Sequence, residues 1–291
     1  MKDKVVGLIA LAIVYILAAA IGVVAFMLLD RYYTNDLLNI LIADVLATIF
    51  VWACGLLLKT ASTYDPYWSV QTIIIYFFLL IRYQNFNLGT ILLLSAIALY
   101  SIRLTTNFII GFDSLKYVDW RYKMLKEKSG PLYQLVNLFG ICMFPTLVVY
   151  SASIPAFLYA RMGSFSWFNL IGIGVILLGT LLELISDIQM KKFIKQRTSR
   201  EEVINIGLWK YSRHPNYLGE ILIWFGVGLV FIVSFPQYWY FFLGAILNFL
   251  MFLFISIPME ENHMKEYKKD IDKYIKTTSA LLLLPRRKEI D

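Results

Sequence analysis

The sequence predicts an all-α, polytopic transmembrane helical bundle of about eight spans, seven to eight in all, and three observations carry that reading. Of its 291 residues, 59% are hydrophobic and 16% are charged, where soluble domains carry about 25% charge. The apolar residues fall in long unbroken blocks, without the alternation or amphipathic stripe of a soluble core. Most blocks approach or exceed the ~20 residues that cross a hydrocarbon layer as helix.

In order, the blocks are 5–29, 37–58, 66–81, 88–110, 132–159, 165–188, 217–235 and 239–258. Lys2 and Lys4 precede the first block as in a signal peptide. Its apolar run of about 25 residues exceeds the roughly 7–15 of a cleaved segment, so a retained helix is expected. The third block is short and opens on Pro66, and the count falls to seven if it only dips into the layer. We divide the chain into N-terminal transmembrane helices over 1–58 and a membrane domain over 59–291 that ends in an amphipathic tail. No internal repeat, low-complexity tract or soluble domain interrupts this pattern.

Lys and Arg set the expected orientation. Five lie in 111–131, seven in 189–216 and eight in 259–291, and alternate segments carry 23 against 3. The positive-inside rule then places both termini and all three basic segments in the cytoplasm. These topogenic loops account for the net charge of +7, so no nucleic-acid partner is expected; membrane lipids and a lipophilic small molecule are. Localisation is integral to a membrane, plasma or endoplasmic reticulum. Cys54 and Cys142 lie inside apolar blocks and only two histidines occur, which supports neither a disulfide framework nor a metal site.

Polar residues inside spans are the informative ones, since an ionisable group in hydrocarbon is costly unless paired or hydrated. Four sets stand out. Tyr100, Arg103 and Asn107 form one helical stripe in the fourth block. Glu183, Asp187 and Lys191 form another at the end of the sixth. Asn216 and Glu220 share a face at the start of the seventh, behind Lys210, Arg213 and His214. His263, Tyr267 and Tyr274 recur on the tail, which reads as an amphipathic helix. Each set has a plainer explanation: an i,i+4 ion pair for Asp187 and Lys191, a snorkelling Arg103, interfacial anchors for His263 and Tyr267, and a helix cap for Asp65 beside a belt residue at Trp68. Against these stands location, because three of the sets belong to segments on one face of the membrane.

Pro215 suits the first turn of a helix and biases His214 to extended backbone. The helix N-terminus it starts attracts an anion, with Lys210 and Arg213 beside it. Glu220, one turn deeper, is placed to accept from hydroxyls or an amide. Anionic groups outside and a neutral polar ring inside describe a nucleotide cofactor. No Rossmann glycine fingerprint exists, and Gly172, Gly174 and Gly179 read as helix-packing glycines.

The string "GLWKYSRHPNYLGE" resembles the C-terminal signature of the steroid 5α-reductase superfamily, especially its branch of uncharacterised membrane proteins. "DPYWS" at 65–69, "DWRY" at 119–122, "ELISDIQMKKF" at 183–193 and a closing Tyr274, Thr278, Ser279 and Pro285 follow in the expected order, so the resemblance runs from about residue 60 to the end. It implies an NADPH-dependent reductase acting on a carbon–carbon double bond conjugated to a carbonyl, in a steroid-, sterol- or lipid-like substrate. The implied cofactor residues are Asp187, Lys191, Tyr211, Arg213, His214, Asn216, Tyr217, Glu220, His263 and Tyr267. The implied catalytic pair is Tyr100 with Asp65, and Trp68 and Arg103 would meet substrate. Met259 and Ile194 stand where the family pattern carries arginines. Lys191, Lys195 or Arg197 would have to supply the phosphate contact, so NADH competes with NADPH as the expected cofactor. The string "RHPNY" is shared with isoprenylcysteine and phospholipid methyltransferases, so an S-adenosylmethionine-dependent methyltransferase is the rival expectation, with Glu260 and Glu261 in support. A non-catalytic lipid or sterol binder is the third.

Overall fold

The computed structural model describes residues 2–287, so the last four residues of the predicted tail lie outside the described residues. Among the described residues there is no β-strand, only an isolated bridge between Ser212 and Ser279. Seven helices among the described residues are long and apolar enough to cross a membrane, and an eighth apolar helix, Tyr67–Tyr83, is shorter. The protein is a polytopic helical bundle, and the weak third block is the short helix. The chain forms two compact units, Met1–Ser164 and Phe165–Asp291. Residue 58, our expected boundary, falls inside the first.

In the first unit, α1 (Lys2–Leu29) packs on α2 (Asp36–Leu57), and α3 (Tyr67–Tyr83) packs on both α4 (Leu88–Gly111) and α7 (Phe144–Met162). Asn35 caps α2 by accepting from the Leu38 N–H at 3.2 Å, and Asn87 caps α4 through Gly89 and Thr90 at 2.8 and 3.3 Å. Side-chain oxygens at these positions replace the missing helical partners of the first turn. A polar helix that the hydrophobic blocks could not reveal, α5 (Trp120–Ser129), is capped by Asp119. It leads through the short α6 (Tyr133–Val136) and a wide π turn over Asn137–Met143 into α7. The interior is held by polar as well as apolar contacts: Tyr64 Oη and Thr48 Oγ1 lie 2.7 and 3.1 Å from Thr146 Oγ1, linking α2 and α7 to the loop before α3. Such interhelical hydrogen bonds stand in for the hydrophobic driving force that lipid removes.

The second unit is built on α8 (Asn169–Gln196) and α9 (Pro215–Ile232), which run antiparallel in close contact. Helix α8 continues well past the sixth apolar block, so Glu183, Asp187 and Lys191 share one unbroken helix. Two glycines on each helix set the separation. A Cβ on Gly172 would sit 2.7 Å from the Gly226 carbonyl oxygen, and one on Gly179 would sit 2.5 Å from that of Gly219. The predicted packing role therefore holds for Gly172 and Gly179. It fails for Gly174, which has nothing within 4 Å because it lies on another face of α8.

After α9 the chain turns through Pro236–Phe242 into α10 (Leu243–Met251), a π turn, α11 (Ile257–Lys265) and finally α12 (Ile271–Thr277). The tail is thus two short helices and not one amphipathic helix. The first ends when the N–H groups of Glu266 and Tyr267 fall back on His263 and Met264 in tight turns, so Tyr274 is out of register with His263 and Tyr267.

The α8–α9 contact yields the first prediction. Gly219→Ala would place its Cβ 2.6 Å from the Gly179 carbonyl and 2.5 Å from Glu183 Cγ, an overpacking that typically costs about 1–3 kcal/mol. Thermal unfolding in detergent should show the loss, while Gly174→Ala should change stability by less than about 0.5 kcal/mol.

Candidate functional site

The polar cluster of the second unit is assembled by the segment that returns from α8 to α9. Thr198 and Ser199 donate three hydrogen bonds to Glu202 at 2.7–2.9 Å, which holds its carboxyl below the usual range. Further along, Gly207 adopts φ +56°, with the Gln189 amide lying where a Cβ would be. That close approach lets Gln189 Oε1 accept the Leu208 N–H at 2.9 Å. The Trp209 indole donates to the Ser186 carbonyl at 3.1 Å. The end of α8 and the approach to α9 are therefore locked together before the helix starts.

Helix α9 begins at Pro215, as the sequence predicts; His214 before it is non-helical, but at φ −137° and ψ 61° it lies outside the extended region expected of a residue before proline. The two residues before it are tied to the tail. The N–H groups of Arg213 and His214 donate to the Ser279 and Ala280 carbonyls at 2.9 and 3.1 Å. The Arg213 guanidinium reaches Glu261 Oε1 at 2.7 Å and the Ile275 carbonyl at 2.8 Å, and also bonds the Thr278 carbonyl. His214 is buried, its Nε2 lies 3.1 Å from the same Glu261 oxygen, and its ring stacks on Tyr217 at 5.1 Å. The Tyr274 hydroxyl donates to the Trp209 and Ser212 carbonyls at 2.6 and 3.3 Å, and burial raises its pKa further, so it stays a neutral donor. Arg213 thus works as an internal staple, with two of its nitrogens committed, where the sequence suggested a free cation for phosphate. Trp209 is a structural key that the sequence reading did not assign, and Glu261, read there only as half of an acidic pair favouring a methyltransferase, is a second; their signal was their place beside the "RHPNY" string and in that acidic pair.

Deeper in α9, Glu220 is buried and accepts from the Trp224 indole at 2.7 Å. One turn nearer the start, Asn216 Oδ1 is buried with no hydrogen-bond partner among the described residues. On α8, Glu183 is buried against Gly219, and Asp187 and Lys191 follow half-buried on the same face. On the tail, His263 Nδ1 lies 3.0 Å from Glu266 Oε2 and its ring is 5.2 Å from that of Tyr267. Tyr211 is 41% exposed beneath the Lys210 ammonium. The end of α8, the start of α9 and the tail, which carry three of the four polar sets, are thus tied together, with Tyr211 at the surface.

Comparison with known proteins now adds a family. A family model described as "Protein of unknown function (DUF1295)" matches residues 51–279. The chain belongs to this family. Its matched region opens inside α2 and closes on Ser279, the residue that accepts the Arg213 N–H. An uncharacterized protein of Schizosaccharomyces pombe is 23% identical over 231 residues, covering 67% of this chain and 64% of that protein. The chain thus spans just under two thirds of the relative it matches. No solved structure matches it.

The family region also contains the residues expected for catalysis, all in the first unit. Tyr100 is buried on α4 and Arg103 is half-buried one turn on. Trp68 packs on the cluster formed by Val51, Tyr64 and Tyr67. Asp65 does not cap α3, whose N-cap is Pro66 without a side-chain bond. Its carboxylate accepts from the Tyr122 hydroxyl of α5. Burial pushes the Asp65 carboxyl up, against the opposing pull of that bond. The sequence did not single out Tyr122, although "DWRY" contains it.

Arg213→Ala should remove the staple and cost roughly 3 kcal/mol, as breaking a buried pair does. Limited proteolysis with mass mapping should then show cleavage after Thr278 that wild type resists. Arg213→Lys should not restore protection, because an ammonium cannot present the planar fork that serves a carboxylate and two carbonyls together.

Proposed function

We propose that the protein is an integral-membrane oxidoreductase of the steroid 5α-reductase type, using NADPH or NADH to reduce a double bond conjugated to a carbonyl in a lipophilic substrate. The observation that carries this reading is the Asn216 Oδ1, a buried acceptor without a partner among the described residues, in the first turn of α9. A buried polar atom left unpaired is costly, and here it faces the demand of a ligand that brings a donor. The carboxamide of a nicotinamide, or a ribose hydroxyl, has that chemistry. Glu220 adds a carboxylate one turn deeper, and the α9 N-terminus favours an anion at its mouth. Lys191, Lys195, Arg197 and Lys210 are the cations assigned to phosphates, since Arg213 is engaged elsewhere. Asp187, His263 and Tyr267 complete the assigned cofactor set, with the basic segments on the cytoplasmic side.

When bound, the dinucleotide would supply the hydride for the β-carbon of the enone. Negative charge would gather on the substrate carbonyl oxygen as that hydride arrives, and a proton from water would then complete the α-carbon. A phenol in a water-poor pocket stabilises such an oxyanion by several kcal/mol, and Tyr100 is assigned that role. Asp65 is assigned as its supporting acid. Because Asp65 already accepts from Tyr122, the two assignments are tested separately.

Purified protein in detergent is heated with NADPH, NADH or S-adenosylmethionine. A dinucleotide at about a hundred times its Kd should stabilise by roughly 2.7 kcal/mol, raising Tm by several degrees, and Asn216→Leu should abolish the shift. A shift with S-adenosylmethionine alone replaces the reading by the methyltransferase; none with any of the three leaves a lipid binder. Tyr100→Phe should slow enone-dependent NADPH oxidation about 10²-fold with cofactor affinity within a few-fold of wild type. Asp65→Asn should slow it less and also lower Tm. Normal turnover in Tyr100→Phe removes Tyr100 from the chemistry.

A further inference from the structure

The first unit holds a buried polar pair that the proposed reduction does not use. Asp44 on α2 and Gln71 on α3 are 4% and 5% exposed. Gln71 Nε2 donates to Asp44 Oδ2 at 3.3 Å, while Gln71 Oε1 is buried with no hydrogen-bond partner among the described residues. Both side chains line a cavity of about 60 Å³ between α1, α2 and α3. Its other walls are apolar apart from Tyr15 and Tyr67, and Ala18, Gly22 and Ala47 keep it open; the Tyr15 hydroxyl is already given to the Thr63 carbonyl at 2.8 Å. A water needs roughly 10–15 Å³ of such space, so the slot admits a few heavy atoms: a polar head and its first carbons.

An ionisable side chain within a membrane helix marks a ligand or ion site unless its partners satisfy it. Here the pairing is incomplete on one defined atom. That atom is a neutral amide oxygen, an acceptor only, and so calls for a donor. The walls around it call for an apolar body. A hydroxyl on a hydrocarbon meets both demands. An ammonium would meet the Asp44 carboxyl beside that atom, so an amine is the rival occupant that the competition test separates from the alcohol.

We propose that this slot binds the hydroxyl end of an apolar alcohol, a long-chain or lipid alcohol, with Gln71 Oε1 as its acceptor and Asp44 fixing the Gln71 amide. The site lies within the first unit and stands whether or not the protein is a reductase.

The test uses the full chain in phosphatidylcholine nanodiscs and a diazirine-tagged hexadecanol as photoprobe, with labelled peptides mapped by mass spectrometry. Saturable labelling should fall on α1, α2 and α3, and unlabelled hexadecanol should compete while its methyl ether should not. Gln71→Leu should reduce competed labelling about fivefold, the worth of one net hydrogen bond. Because that change strips Asp44 of its partner, Gly22→Leu serves as the second variant. Its Cβ meets only ordinary contacts, 3.9 Å from the Ala43 carbonyl and from Ala47, and its longer side chain occupies space that Gly22 leaves in the lining, so labelling should be abolished in a protein that still unfolds cooperatively. Unsaturable labelling, equal competition by the methyl ether, or undiminished labelling of a folded Gly22→Leu protein overturns the site. Stronger competition by hexadecylamine overturns the alcohol.

Discussion

The backbone contact between α8 and α9 is the constraint on which the second unit depends. In hydrocarbon, apolar side chains gain little by leaving lipid for one another, so close packing and hydrogen bonds must hold helices together. Gly172 against Gly226 and Gly179 against Gly219 let the two backbones touch. These pairs are seven residues apart on each helix, two turns, so one stripe repeats and one register is selected. The register puts Glu183 against Gly219 and brings the polar end of α8 beside the first turn of α9. A bulkier residue at either pair would move the acids of α8 relative to Asn216 and Glu220. The geometry of the candidate site is thus set by residues that carry no chemistry.

The second support is the Arg213 staple. A charged side chain that joins a carboxylate and two carbonyls fixes the end of α12 against the start of α9. His214 shares the same carboxylate and stacks on Tyr217, so one oxygen of Glu261 organises two residues of the most telling string in the sequence. This gives a physical account of why such a string can serve different chemistries. Arg, His and Pro shape the entry to a membrane helix, and the residues around that entry decide what is bound there. A motif of this kind reports architecture before it reports reaction.

The spans were legible because an apolar run of sufficient length leaves the chain no alternative to helix in lipid. That the end of α8, the start of α9 and the tail come together was legible for a related reason: short connections between long helices keep consecutive ends together. What the sequence could not show were the partners. Helix α5 is too polar to register as a block. The break between α11 and α12 turns on backbone bonds at Glu266 and Tyr267 that no periodicity announces. Asp65 faced a choice among several phenols in an aromatic-rich unit, and the structure bonds it to Tyr122. Arg213 looked like an anion-binding cation because its acceptors are a carboxylate 48 residues away and two main-chain carbonyls in the tail. Gly174 differs from its neighbours only in the face it occupies.

Satisfied and unsatisfied polar groups therefore mean different things in this protein. Thr48, Thr146 and Tyr64 share hydrogen bonds across the first unit, and Asn169 on α8 donates to the Val230 carbonyl and to Ser234 at 2.7 and 2.8 Å. Such groups are closed among themselves and act as glue. Asn216 and Gln71 are not closed: each keeps a buried acceptor without a protein partner among the described residues. In water either would be unremarked, since solvent would meet the demand at small cost. Inside a membrane bundle the same atom destabilises the fold unless a water or a ligand answers it. An apolar side chain of similar volume would carry no such demand. Each of the two atoms therefore calls for a donor, one near the N-terminus of α9 and the other between α2 and α3.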